Sequence, residues 1–209
     1  MDPRMRGHLP PGYPAEYQQQ VKLQDGRQVF IRPVLPSDAA ELARAIKAAD
    51  TETLRRRFLG GPPRVTPALL AHLTRLDYQR RFALVAIDPV TGDGVAIARY
   101  EPAGEATAEV AIVVIPAWRG VGLATALVSL LARAAVERGV VTFTASYLAG
   151  NRPVAALAGQ ADGLRTKVIE QGIAEFSVAL ENPDASGIRG DVPSPEDEHH
   201  REHGSPDTK

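Results

Sequence analysis

The stretch Val113-Val-Ile-Pro-Ala-Trp-Arg-Gly-Val-Gly-Leu-Ala-Thr-Ala-Leu127 places a β-rich run ahead of two glycines and a long apolar segment. Gly120 and Gly122 let the backbone approach a ligand with no Cβ in the way. The first amides of a helix have no acceptor within it, and the helix dipole favours an anion there. With the fixed charge of Arg119, residues Arg119, Gly120, Val121, Gly122, Leu123, Ala124 and Thr125 could cradle a pyrophosphate. The glycines alone fit an ordinary turn into a helix equally well. A dinucleotide fingerprint is excluded because its third glycine would fall on Thr125, and no Gly-Lys-Ser/Thr loop is present. Cysteine is absent, which removes a cysteine nucleophile, a thiolate zinc site and a disulfide scaffold together. His199, His200 and His203 could catch a metal ion, but nothing around them would orient the rings. Incidental binding outweighs a built metal site, and no metal is expected.

These residues need elements to position them. Gln28–Val34 reads as a strand closed by Pro33 and Pro36. Ser37 or Asp38 is expected to cap the next helix, with Glu41 closing a box with Asp38, and Thr51 to cap a second helix over 52–59. After Gly60-Gly61-Pro62-Pro63, Thr66-Pro67 opens a third helix to about Leu76. Phe82–Asp88, Ala96–Glu101 and Ala108–Ile115 read as an antiparallel meander separated by Gly/Pro/Asp turns. Gly120–Gly139 is the longest helix, with Leu123, Leu127, Leu130, Leu131 and Ala134 on one face. A strand (140–148), a short helix (151–159) and a strand pair (164–170 and 173–180) around Gln171-Gly172 complete the pattern. The order predicts an α/β (α+β) fold with a mixed, mostly antiparallel central sheet and helices on both faces.

The chain has 209 residues, 44% apolar and 23% charged, enough for one domain with tails. Residues 1–15 read as a flexible lead-in, 16–181 as the domain, and 182–209 as a disordered acidic tail carrying the histidines. A net charge of −1 gives no support for a nucleic-acid surface. The first residues show no secretory signal, and 121–136 is too short to span a bilayer. No nucleic acid or membrane partner is expected, and the location expected is cytoplasmic.

Arg119-Gly120-Val121-Gly122-Leu123-Ala124 resembles the Arg/Gln-x-x-Gly-x-Gly/Ala motif of the GNAT acyltransferases, which lies after strand four at the start of the long central helix. Ala108-Glu109-Val110 ahead of it and Asn151 behind it fit the same pattern. A narrower resemblance over about 13–180 is to the GNAT domains of bacterial Pat-type protein lysine acetyltransferases. It rests on Asp25-Gly26, Ile31-Arg32-Pro33, Ser37-Asp38, Arg57-Phe58, Asp77-Tyr78 and Phe82-Ala83-Leu84-Val85-Ala86. The extra domain that such proteins often carry does not fit in this chain.

The resemblance implies transfer of an acetyl or related acyl group from acetyl-CoA to an amine, most readily a protein lysine. A small-molecule amine acceptor and a non-catalytic acyl-CoA sensor are the alternatives. Ionised lysine must lose a proton before it attacks, at a cost of about 4–5 kcal/mol near neutrality. The resemblance makes Glu109 the general base, with Glu105 as reserve. Strand alternation alone groups Glu109 with Ala111 and Val113 and equally allows a solvated carboxylate. The resemblance further implies a splay after strand four that frees the backbone of Ile112, Val113 and Val114 for the pantetheine arm. The resemblance makes Asn151 a pantetheine contact, its residue type alone makes it a helix cap, and the two roles are compatible. Where many relatives carry a tyrosine acid this chain has Ala158, so the thiolate is expected to leave without a side-chain proton donor. Tyr147 is expected to pack, Trp118 to lie under the turn, and Arg55-Arg56-Arg57 to be mainly solvated.

Overall fold

The computed structural model describes residues 9–58, 63–160 and 165–180. The histidine cluster and the rest of 181–209 lie outside these residues, as do 1–8 and the glycine pair at 60–61.

Eight strands form one sheet in the order β1-β2-β3-β4-β5-β6-β8-β7. They are β1 (Gln19–Lys22), β2 (Gln28–Pro33), β3 (Phe82–Ile87), β4 (Gly94–Pro102), β5 (Thr107–Val114), β6 (Thr142–Leu148), β7 (Arg165–Glu170) and β8 (Ile173–Ala179). Each neighbouring pair is antiparallel except β5 and β6. That parallel pair needs a crossover, and the long helix provides it. The helices are α1 (Ala39–Ala48), α2 (Thr51–Phe58), α3 (Pro67–Thr74), α4 (Leu123–Val136) and α5 (Arg152–Gln160).

The apolar stripe of α4, from Leu123 through Leu127 and Leu131 to Ala134, is buried against one sheet face. Alternation puts Val29, Ile31, Phe82, Leu84, Ala98 and Tyr100 on that face. Tyr17, Phe82, Tyr100 and Phe143 form a chain of ring contacts through the core, with centroids 5.2, 5.9 and 6.0 Å apart. The opposite face carries the polar members of the same strands, including Arg32, Arg99, Glu101 and Glu109.

Several local expectations are corrected. Strand β1 was not anticipated; Gln19, Gln20 and Lys22 surround its single apolar residue, and pairing with β2 rather than burial makes it a strand. The Asp38–Glu41 box does not form. Arg32 donates to both Asp38 carboxylate oxygens at 2.7 and 2.8 Å, and the Leu35 N–H takes up the Oδ2 as well. Glu41 instead accepts from the Gly94 N–H on β4. The side chain that caps α2 is Asp50, which accepts from the Thr53 N–H at 2.8 Å, so the helix starts at Thr51. Thr66 does cap α3, through Leu69 N–H at 3.1 Å. The turn between β7 and β8 has positive φ at both Gln171 and Gly172, the backbone of a tight primed hairpin.

Candidate active site

Strand β5 pairs with β4 along its length, from Pro102↔Ala108 to Ala96↔Val114. Its pairing with β6 covers only Thr107↔Thr142, Ala108↔Phe143 and Glu109↔Thr144. Beyond Glu109 the two strands part. The Ile115 N–H donates to Val95 O, and antiparallel bonds alternate, so Val113 and Ala111 also bond toward β4. The main-chain groups of Val110, Ile112 and Val114 therefore face the gap. This divides the expected stretch of backbone: Ile112 presents both its groups to the gap and Val114 its N–H, whereas Val113 is spent on the sheet and Val114 O is taken by Arg119.

The gap continues into a cleft of ≈ 790 Å³ whose lining includes Glu109, Ile112, Val113, Val114, Arg119, Gly120, Gly122, Leu123, Ala124, Thr125 and Asn151. The cleft thus gathers the anticipated site residues from β5, the turn, α4 and the start of α5. Val121 stands outside the lining, and its carbonyl accepts the Gln24 N–H at 3.2 Å. The turn itself begins with a 3-10 turn over Pro116–Trp118. Gly120 and Gly122 then adopt φ of +73° and +85°, which strain any residue with a Cβ. Because α4 starts at Leu123 rather than Gly120, the N–H groups of Leu123, Ala124 and Thr125 form its first turn; the first helical bond runs from Ala126 N–H to Gly122 O. Those amides have no protein acceptor among the described residues, as an anion site at a helix start requires.

Arg119 is a brace as well as a charge. Its Nε donates to Val114 O at 2.9 Å, and its Nη2 to Thr53 Oγ1 at 2.9 Å. Thr53 in turn donates to Asp50 Oδ2 at 2.5 Å. The Thr53 hydrogen bonds, aided by the Arg119 charge, hold the Asp50 carboxyl below the usual aspartate range. This relay ties α2 to the end of β5 and to the turn. On the other side, Arg27 stacks on Trp118, 4.1 Å from the ring centroid, and donates to Ala117 O at 3.1 Å. Thr53, Gln24 and Arg27 were not anticipated. Asp50-x-x-Thr53 is a legible cap, but nothing local in Asp25-Gly26-Arg27 signals contact with residues near 118.

Glu109 is exposed and stands where β5 and β6 diverge. Across β4 it faces Glu101, which is engaged by Arg99 and by His72 Nε2 at 3.0 Å. Among the described residues no ion pair or hydrogen bond holds the Glu109 carboxylate. Asn151 is 7% exposed. Its carbonyl accepts the Ala155 N–H at 3.0 Å, but its carboxamide caps nothing among the described residues and lines the cleft. Tyr147 packs edge-on against Phe176 at 5.9 Å and also borders the cleft. Arg55 is largely solvent-exposed, as expected. The arrangement offers an anion holder, outward-facing strand amides and an unengaged carboxylate along one cleft.

The acetyltransferase (GNAT) domain family matches residues 28–162. Acetyltransferase PA5475 of Pseudomonas aeruginosa is 34% identical over 120 residues, covering 56% of this chain and 64% of that protein. Acetyltransferase Pat of Mycolicibacterium smegmatis is 33% identical over 133 residues, 63% of this chain and 40% of that protein. This chain therefore spans less than two thirds of either relative. The crystal structure of the GNAT domain of S. lividans PAT superposes with a TM-score of 0.72 at 29% identity, covering 80% of this chain and 99% of that one. With the family match running from β2 through α5, across the turn, the gap and the cleft, the chain belongs to the GNAT acetyltransferase family.

Proposed function

We propose that this protein transfers an acetyl group from acetyl-CoA directly to the ε-amine of a protein lysine, with Glu109 as general base. The observation that carries the reading is the parting of β5 from β6 at Glu109, which opens a gap beside the unengaged amides of α4. In this reading the pyrophosphate of CoA lies against the amides of Gly120 through Thr125, and Arg119 adds charge while keeping the turn in shape. The pantetheine arm runs along the gap, where Ile112 offers its main-chain groups, Val114 its N–H and Asn151 its carboxamide. The lysine reaches the thioester as an ammonium ion. Glu109 takes its proton, directly or through one water, and the free nitrogen attacks the carbonyl carbon. A strand amide facing the gap would donate to the oxygen that becomes negative. The carbon–sulfur bond then breaks, CoA leaves as a thiolate and the nitrogen gives up its second proton to that thiolate or to solvent, so no side chain is required at Ala158. Absence of cysteine supports direct transfer over an acyl-cysteine relay. Support for a lysine acceptor comes from the sequence resemblance to Pat-type protein lysine acetyltransferase domains, and the likeness to Pat and to the PAT domain agrees with that resemblance.

Intact-mass analysis after incubation with acetyl-CoA and candidate proteins is the test. Gains of 42 Da (one acetyl for one hydrogen) on lysine are expected. Acetylation of small amines alone would replace the acceptor assignment. A rise in melting temperature with acetyl-CoA but no turnover on any amine would make the domain a sensor.

A further inference from the structure

A second groove, of ≈ 370 Å³, opens from the main cleft where Glu109, Ala145 and Ser146 line both. It crosses β6 and β8 and is bordered by Thr144, Ser177, Val168 and Glu175. The register puts these side chains on the face that carries Glu109: Glu109↔Thr144 across β5 and β6, Ser146↔Glu175 across β6 and β8, and Val168↔Glu175 across β7 and β8. Glu170 on β7 extends the same face, in line with Ile173 on β8. None of these glutamates is engaged in an ion pair or hydrogen bond among the described residues. Arg99, on this face at β4, is committed to Glu101.

The groove therefore leads from the proposed base to a second unneutralised carboxylate. Glu175 lies two strands over and two residues along from Glu109, about 12 Å away from strand spacings of ~4.8 Å and rises of ~3.4 Å. An extended peptide covers that distance in three to four residues. We infer that the groove receives the segment around the acceptor lysine and that Glu175 selects a basic residue about three positions from it. This inference rests on the lysine-acetylation reading and names the substrate class for that site: a lysine in a locally basic, extended segment. The hydroxyls of Thr144, Ser146 and Ser177 supply polar partners along the way.

The experiment uses the full chain, acetyl-CoA and synthetic peptides with one central lysine and arginine, alanine or glutamate three residues to either side. The ratio of kcat/KM for arginine-flanked over alanine-flanked peptide is expected to be about three- to five-fold, the scale of an exposed ion pair. Glu175→Gln should bring that ratio near one, and Glu175→Arg should make the glutamate-flanked peptide the better substrate. Melting temperatures of both variants confirm that they are folded. A wild-type ratio near one, or a ratio that Glu175→Gln and Glu175→Arg leave unchanged, overturns the groove assignment while lysine acetylation stands. Failure of the wild type to acetylate any peptide or protein lysine overturns the acceptor assignment itself, and the groove assignment with it.

Discussion

Replacing Gly122 by alanine probes the turn most directly. Its φ of +85° costs an alanine about 1–2 kcal/mol, the usual penalty of the left-handed region for a residue with a Cβ. The new Cβ would also lie 3.2 Å from Gln24 Nε2 and 3.3 Å from its Cδ and Cγ. Gln24 is held by its backbone to Val121 O, so its side chain must give way by a few tenths of an ångström, adding up to about 1 kcal/mol. Gly120 separates the two effects: its φ is +73°, and an added Cβ meets nothing within 4 Å. Gly120→Ala should thus show the conformational cost alone, and Gly122→Ala that cost plus the Gln24 contact. In a domain of this size each kcal/mol lowers Tm by about 2–4 °C. Calorimetry should give a drop of about 2–8 °C for Gly120→Ala and a larger one for Gly122→Ala. The double variant Gln24→Ala/Gly122→Ala should return to the Gly120→Ala level, corrected for Gln24→Ala alone. Isothermal titration with CoA should weaken about ten-fold for Gly122→Ala, because the first α4 amides lose their aim. Equal melting temperatures for the two single variants, or full CoA affinity in Gly122→Ala, would refute the geometry assigned to the turn.

Glu109→Gln should lower kcat by about 10²–10⁴-fold with CoA affinity retained, measured by a thiol-release assay and titration; an unchanged rate excludes Glu109 as base. Arg119→Ala removes the bonds to Val114 O and Thr53 Oγ1 as well as the charge, so both CoA affinity and Tm should fall, whereas loss of affinity alone would limit Arg119 to ligand contact. Asp38→Ala leaves the fully buried Arg32 without its paired carboxylate and should cost about 3–5 kcal/mol in a urea titration; a cost under 1 kcal/mol would remove this pair as the anchor of the β2–α1 corner. The Asp50 pKa is lowered by folding from its ordinary 3.8, so its contribution is complete at neutral pH and is lost as pH falls through the lower folded value. Carboxyl-carbon NMR should place the Asp50 midpoint below 3.8, with amide exchange in α2 rising over the same range; a midpoint at or above 3.8 would contradict the Thr53–Arg119 relay.

The order of most elements is legible in the amino-acid sequence. The information is local: alternating Val, Ile and Ala mark β3 through β5, the leucine stripe marks α4, and Thr66-Pro67 and Gln171-Gly172 mark an entry and a turn. It also pointed to the cradle, because two glycines between a strand and a helix are a local signal. Strand β1 escaped, since its four residues become a strand only when β2 is beside them. The Asp38 cap fails for a related reason, since the Arg32 that claims its carboxylate arrives from β2, whereas the α2 cap at Asp50 in place of Thr51 is a local signal, Asp50-x-x-Thr53. The point at which β5 and β6 part, the strand amides that face the gap and the two donors that Arg119 spends on the protein are set by the assembled sheet. The same assembly brings Gln24 and Arg27 to brace a turn some 90 residues away in the chain. Such features depend on which backbone groups have already found partners, and that is fixed only when all the strands are in register.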